Sequence, residues 1–149
     1  MRRLSILLGS VLLWVAAAVP VAADAAYHTE RLELVPQAGA QGTGFVVNIH
    51  PNGPQVFAVE RYALRGGIPG ATYDVTLVID GAEALCGFPI EIPMASGTTN
   101  AAGNLTMQSG VLRPAAVPAC LRGETFAIHW EVRSGGTITH TASTIVTLD

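Results

Sequence analysis

Residues 68–79 read IPGATYDVTLVI, a proline-glycine turn running into a strand whose first large side chain is a tyrosine. Pro69 fixes its own φ and Gly70 tolerates a positive one, so the pair reverses the chain. Tyr73, Val75, Leu77 and Ile79 then fall at every second position, with Asp74 and Thr76 opposite, until Asp80-Gly81 turns the chain again. A period of two with one apolar face marks a strand lying over a core.

The same pattern extends in both directions. Leu32 and Leu34 sit in a first strand spanning Tyr27 to Val35, and Phe45, Val47 and Ile49 share one face while Val46, Asn48 and His50 share the other. Pro51-Asn52-Gly53-Pro54 stops that run, and a further run from Gln55 to Leu64 ends at Gly66-Gly67. In CGFPIEIPM, residues 86–94, Pro89 and Pro93 remove N–H donors from one side only, which fits an edge strand or an extended loop. Asn100-Ala-Ala-Gly103 predicts a hairpin turn. Phe126, Ile128, Trp130 and Val132 form the most regular inward face, Ser134-Gly135-Gly136 turns it, and a threonine-rich run from Thr137 to Leu148 closes the chain. Helical periodicity is nowhere sustained. The expected class is all-β, a single antiparallel two-sheet β-sandwich of about 7–8 strands, with a small closed barrel as the alternative.

The N-terminus begins MRRLSILLGSVLLWVAAAVPVAADAA, with two arginines, an uncharged stretch from Leu4 to Ala23 and small residues at its end. That order is the order of a cleaved signal peptide, with cleavage after Ala23 or Ala25, and an uncleaved anchor is the alternative, disfavoured by Pro20 and the short apolar core. The organisation is therefore a leader at 1–23 and one domain at 24–149, with no membrane span in the mature chain and a secreted or periplasmic location. The mature part holds two cysteines, Cys86 and Cys120. In an exported chain such a pair reads as a disulfide, with two buried thiols as the alternative.

All eight cationic side chains are arginines, two of them in the leader, against eleven carboxylates. Nucleic-acid binding needs clustered cations to displace counterions from phosphates, and no such cluster occurs. Anionic membrane surfaces are excluded on the same ground.

The stretch from Leu64 through Ile68-Pro69-Gly70 to Tyr73 and Val75 resembles the bend of fibronectin type III and other immunoglobulin-like domains. The resemblance covers about a dozen residues and implies a sandwich architecture in which the Tyr73 hydroxyl bonds back to upstream backbone, a tyrosine corner. Two features depart from those families. Ile68 adjoins the proline directly, and both cysteines precede Trp130, unlike the cysteine-tryptophan-cysteine order of antibody-type domains.

The sequence has no G-x-S-x-G, H-E-x-x-H, phosphate-binding glycine loop or D-x-D-x-D-G calcium loop. Glu30 and Glu33 lie on opposite faces of their strand and make no acid/base pair. Blue copper is excluded because Cys120 precedes His129 by nine residues and no methionine follows Met107. His28, His50, His129 and His140 are the remaining metal candidates. His129 should face outward, opposite Trp130, and His140 would stand beside it if the intervening loop holds four residues; with three, Trp130 pairs with His140 instead. Such a cross-strand histidine pair could hold zinc or copper with a third ligand. Asn104-Leu-Thr106 is an N-glycosylation sequon beside a turn.

The expected function is that of an exported, non-enzymatic β-sandwich domain, a protein-interaction or envelope module with a macromolecular partner and no cofactor. A small-ligand or metal carrier using surface histidines is the alternative. N-terminal sequencing of the exported protein should find Asp24 or Ala26 as the first residue; Met1 retained would remove the leader from this account.

Overall fold

The computed structural model describes residues 27–51, 59–110 and 118–147. The expected leader, the turn residues 52–54 and the start of the run at 55–58 lie outside the described residues, as do the side chains of His28 and His50. Eight antiparallel strands follow one another: β1 (Tyr27–Pro36), β2 (Thr43–Pro51), β3 (Val59–Arg65), β4 (Thr72–Ile79), β5 (Ile90–Thr98), β6 (Leu105–Gln108), β7 (Thr125–Ser134) and β8 (Thr137–Thr147). A five-residue helix, α1 (Ala82–Cys86), and a 3₁₀ turn at Ala119–Leu121 lie between them.

All strands belong to one sheet of order β5-β4-β7-β8-β1-β2-β3-β6. The antiparallel all-β expectation holds, while the division into two sheets is reduced to a seam. β1 pairs with β2 from Tyr27 to Leu34, then crosses to β8 at Val35 and Pro36, joining the two halves. At the other side the edge strands β5 and β6 lie against each other without backbone pairing. A Cβ placed on Gly97 of β5 would come within 3.0 Å of the Leu105 side chain and 3.1 Å of Met107 on β6. Small size at Gly97 thus lets two edges meet through side chains, and the sheet curls into a nearly closed barrel.

The inward faces of β4 and β7 follow the apolar alternation. Tyr73, Val75, Leu77 and Ile79 are buried with Phe126, Ile128, Trp130 and Val132, and β4 pairs with β7 in register along that face. β5 is an edge strand, beginning at Ile90 after Pro89. Its register slips between Val75↔Ala95 and Thr76↔Pro93, so Met94 is the extra residue of a bulge and turns inward. Cys86 belongs to α1 and not to the strand, and it forms a disulfide with Cys120 of the 3₁₀ turn across a separation of 34 residues. The bridge ties two short caps, which bury Ala82 and Leu121, over one end of the core.

The opposite end is closed by two turns that dock on each other. The Tyr73 hydroxyl is buried and accepts the Ile68 N–H at 3.1 Å. Thr99 donates its hydroxyl to the Ile68 carbonyl at 2.6 Å, and its N–H bonds the Ala71 carbonyl at 3.0 Å. The Asn100–Gly103 turn forms as expected, yet β5 and β6 pair with β4 and β3 and not with each other, so it bridges the two halves. Gly103 has φ 73°, and its Cβ would meet the Gly67 carbonyl at 2.1 Å, a position only glycine can hold. Replacing Tyr73 with phenylalanine strands the Ile68 N–H and should lower stability by about 1–3 kcal/mol in urea denaturation. An unchanged midpoint would show that the corner is not structural.

Candidate functional site

Three polar or amphipathic clusters stand out, one inside the barrel and two on its surface. Inside, strand period places Glu60, Tyr62 and Leu64 of β3 on one face, and all three are buried. Register sets Asn48 of β2 opposite Glu60 and Val46 opposite Tyr62. From across the barrel, Trp130 Nε1–H donates to Glu60 Oε2 at 2.8 Å, and the Tyr62 hydroxyl donates a short bond to the same oxygen. The Glu60 backbone exchanges bonds with Ser109, whose Oγ accepts its N–H and whose N–H donates to its carbonyl, each at 2.9 Å. Glu60 Oε1 has no hydrogen-bond partner among the described residues.

Burial pushes the Glu60 carboxyl above its ordinary value of 4.5, and the bonds from Tyr62 and Trp130 pull it partway back. Burial, then the charge of Glu60, raises the Tyr62 phenol far beyond the usual range. Both donors fall on Oε2, and both bonds favour the charged form against the burial that opposes it. Relative exposures of 1 % for Glu60, 2 % for Tyr62 and 0 % for Trp130 place this acid in the core. Its chemistry is internal: it holds β3 to β7.

On the outside of β7, His129 contacts Asp80 through Nδ1 at 2.8 Å and Glu131 through Nε2 at 3.6 Å, and Glu131 also pairs with Arg133. A cleft of about 480 Å³ beside it runs between β1 and β8, past Leu32, Val35 and Thr141. The two carboxylates sit on opposite nitrogens of one ring, so they do not converge on a common point. His140 does not adjoin His129. The turn holds only Gly135-Gly136, both with positive φ, and a bulge between Val132 and Arg133 pairs His140 with Val132 and His129 with Ser143. His140 is therefore buried, with Nε2 3.3 Å from the Gly42 carbonyl and Nδ1 3.1 Å from the Thr139 hydroxyl. On this register His129 and His140 lie on opposite faces of the β7–β8 pair, and no group of three metal-type ligands gathers among the described residues.

The second surface cluster covers the outer face of β1, β2, β3 and β6. There Phe45, Val47 and Ile49 of β2 form a half-buried apolar column pointing away from the core, while Val46 and Asn48 point in. Register places Arg31 of β1 and Arg61 of β3 on either side of Val47, and Ala63 beside Phe45. Arg65 is the next outward residue on β3, and the Arg31 guanidinium lies 4.0 Å from the Phe45 ring centroid. A trough of about 740 Å³ runs over this column, with Arg61 and Arg65 in its lining. Arg31 pairs with Glu33 at 3.3 Å, whereas Arg61 and Arg65 carry no ion pair among the described residues. Sequence reading found both faces of β2 but missed that the more apolar one is external. The inward-facing asparagine and glutamate at 48 and 60 are the signal that could have shown it.

No protein-family model matches the chain, and no curated protein or solved structure does either.

The carboxyl predicts a pH effect with a definite sign. A group whose pKa is raised on folding contributes stability below its unfolded value and loses it as pH climbs toward the folded one. Urea midpoints of Glu60→Gln should therefore gain on those of the wild type as pH rises above about 4.5, because the amide keeps an acceptor for Trp130 and Tyr62 without a proton to lose. A difference independent of pH would show that the carboxyl is not perturbed.

Proposed function

We propose that this protein is an exported, non-enzymatic interaction module that engages a macromolecular partner through the outer face of β1, β2, β3 and β6. The observation carrying this reading is the reversed patterning of β2, whose larger apolar face, Phe45, Val47 and Ile49, is turned outward while Asn48 is turned in. Apolar side chains gathered on an outer sheet face are the usual mark of a contact surface. Export draws support from the leader-like N-terminus and from the Cys86–Cys120 disulfide, a bond that persists in oxidising compartments. The most perturbed acid is sealed in the core, which favours binding over catalysis.

The immunoglobulin-like reading draws support from strand order. β2-β3-β6 and β4-β7-β8 follow the A-B-E and C-F-G neighbour relations of that fold, with β5 beside β4 and β1 as an added strand linking the halves. The disulfide joins α1 to the 3₁₀ turn and not the paired core strands of antibody domains.

Immobilised protein lacking the leader should retain a stoichiometric partner from an extracellular or envelope extract, and Val47→Asp should lose it while melting at the wild-type temperature. Retention of the same partner by a folded Val47→Asp variant, or no partner for the wild type, would count against the reading.

A further inference from the structure

We infer that the segment seated in the outer trough is an extended, acidic stretch of polypeptide with apolar residues at alternate positions; the inference rests on the interaction face proposed above. Shape is the first argument. Phe45, Val47 and Ile49 repeat at every second residue of one strand, about 7 Å apart, which is also the same-face repeat of an extended chain laid along it. The apolar floor therefore matches a strand-like ligand side chain for side chain.

Charge is the second argument. The chain carries more carboxylates than arginines overall, yet Arg61 and Arg65 both line this trough, while Arg31 on its β1 side is already paired to Glu33, which register sets beside Phe45. Arg61 and Arg65 are four residues apart on β3, about 13 Å in a strand, and neither has a counter-ion among the described residues. Two uncompensated guanidiniums beside an apolar floor favour carboxylates at matching intervals, each able to accept a bidentate pair.

The same observations disfavour other occupants. A second copy joined face to face would bring two sets of Arg31, Arg61 and Arg65 into one interface against only the two Glu33 carboxylates, leaving an excess of like charge. An anionic bilayer is a poor fit because the apolar column is recessed, with Arg31 lying over Phe45, so the floor cannot enter the acyl region without first displacing its charged rim.

The test uses fluorescently labelled short peptides that alternate valine with glutamate, glutamine or lysine, titrated against the protein by anisotropy. Vesicles of phosphatidylcholine with and without phosphatidylglycerol are assayed in parallel by sedimentation. The glutamate peptide should bind, the lysine peptide should not, and Arg61→Gln with Arg65→Gln should weaken the glutamate peptide by about tenfold or more, as expected for loss of close charge pairs. Phe45→Ser should weaken it as well. Equal binding of the glutamate and glutamine peptides, with sensitivity to Phe45→Ser, would overturn the acidic partner but leave the interaction face standing. No peptide bound, or binding to phosphatidylglycerol vesicles alone, would overturn the polypeptide reading itself.

Discussion

The hydrogen bond from the Trp130 indole to the Glu60 carboxyl spans the barrel and sets the orientation of everything on its far side. Trp130 comes from β7 and Glu60 from β3, so one oxygen links the two halves of the sheet, and Tyr62 donates to that same oxygen from two residues further along β3. A buried carboxyl left without donors costs several kcal/mol, and the two donors on this one offset part of that cost. With Glu60 and Tyr62 turned inward, strand period turns Arg61, Ala63 and Arg65 out. Antiparallel register then carries the choice to β2, where Val46 and Asn48 follow inward and the Phe45, Val47 and Ile49 column is left outside. The outer trough is a consequence of how the interior is satisfied.

Closure of the barrel rests on a different kind of contact. At one end the Gly66–Ala71 and Thr99–Asn104 turns dock with almost no side chain between them, Gly67 donating its N–H to the Gly103 carbonyl at 2.9 Å. Asn100 accepts the N–H groups of Ala102 and Asn104 to hold the second turn, and Tyr73 and Thr99 satisfy the first. At the other end the disulfide draws α1 and the 3₁₀ turn together over Leu121. Both ends are pinned by local devices, so β5 and β6 meet through Gly97, Leu105 and Met107 with no ladder of hydrogen bonds between them.

Much of the fold was legible along the chain, and for local reasons. The alternation in residues 68–79 and 126–132 marked the inner faces of β4 and β7, because those strands carry polar residues on one side and large apolar ones on the other. Pro89 and Pro93 limited residues 86–94 to an edge strand or an extended loop through the donors they lack, and Ile90–Thr98 forms the edge strand. The two cysteines allowed only one intramolecular pairing. The outer site was less legible, since both faces of residues 45–49 carry apolar side chains and periodicity assigns no direction to either. The placement of the histidines was hidden for a related reason: a two-residue turn and one bulge, in place of the longer loops considered, put His140 in the core.

By itself the sequence determined the all-β class, the placement of most turns and the absence of several familiar catalytic motifs, since each depends on neighbours within a few residues. Only the tertiary structure decided which face of β2 and β3 is inside, that the strands form one curled sheet, and that His129 and His140 lie on opposite sides of it. Those outcomes depend on register, and a slip of one residue moves every side chain of a strand to the other face. Register is set by partners far away in the chain, here Trp130 reaching Glu60 across a separation of 70 residues.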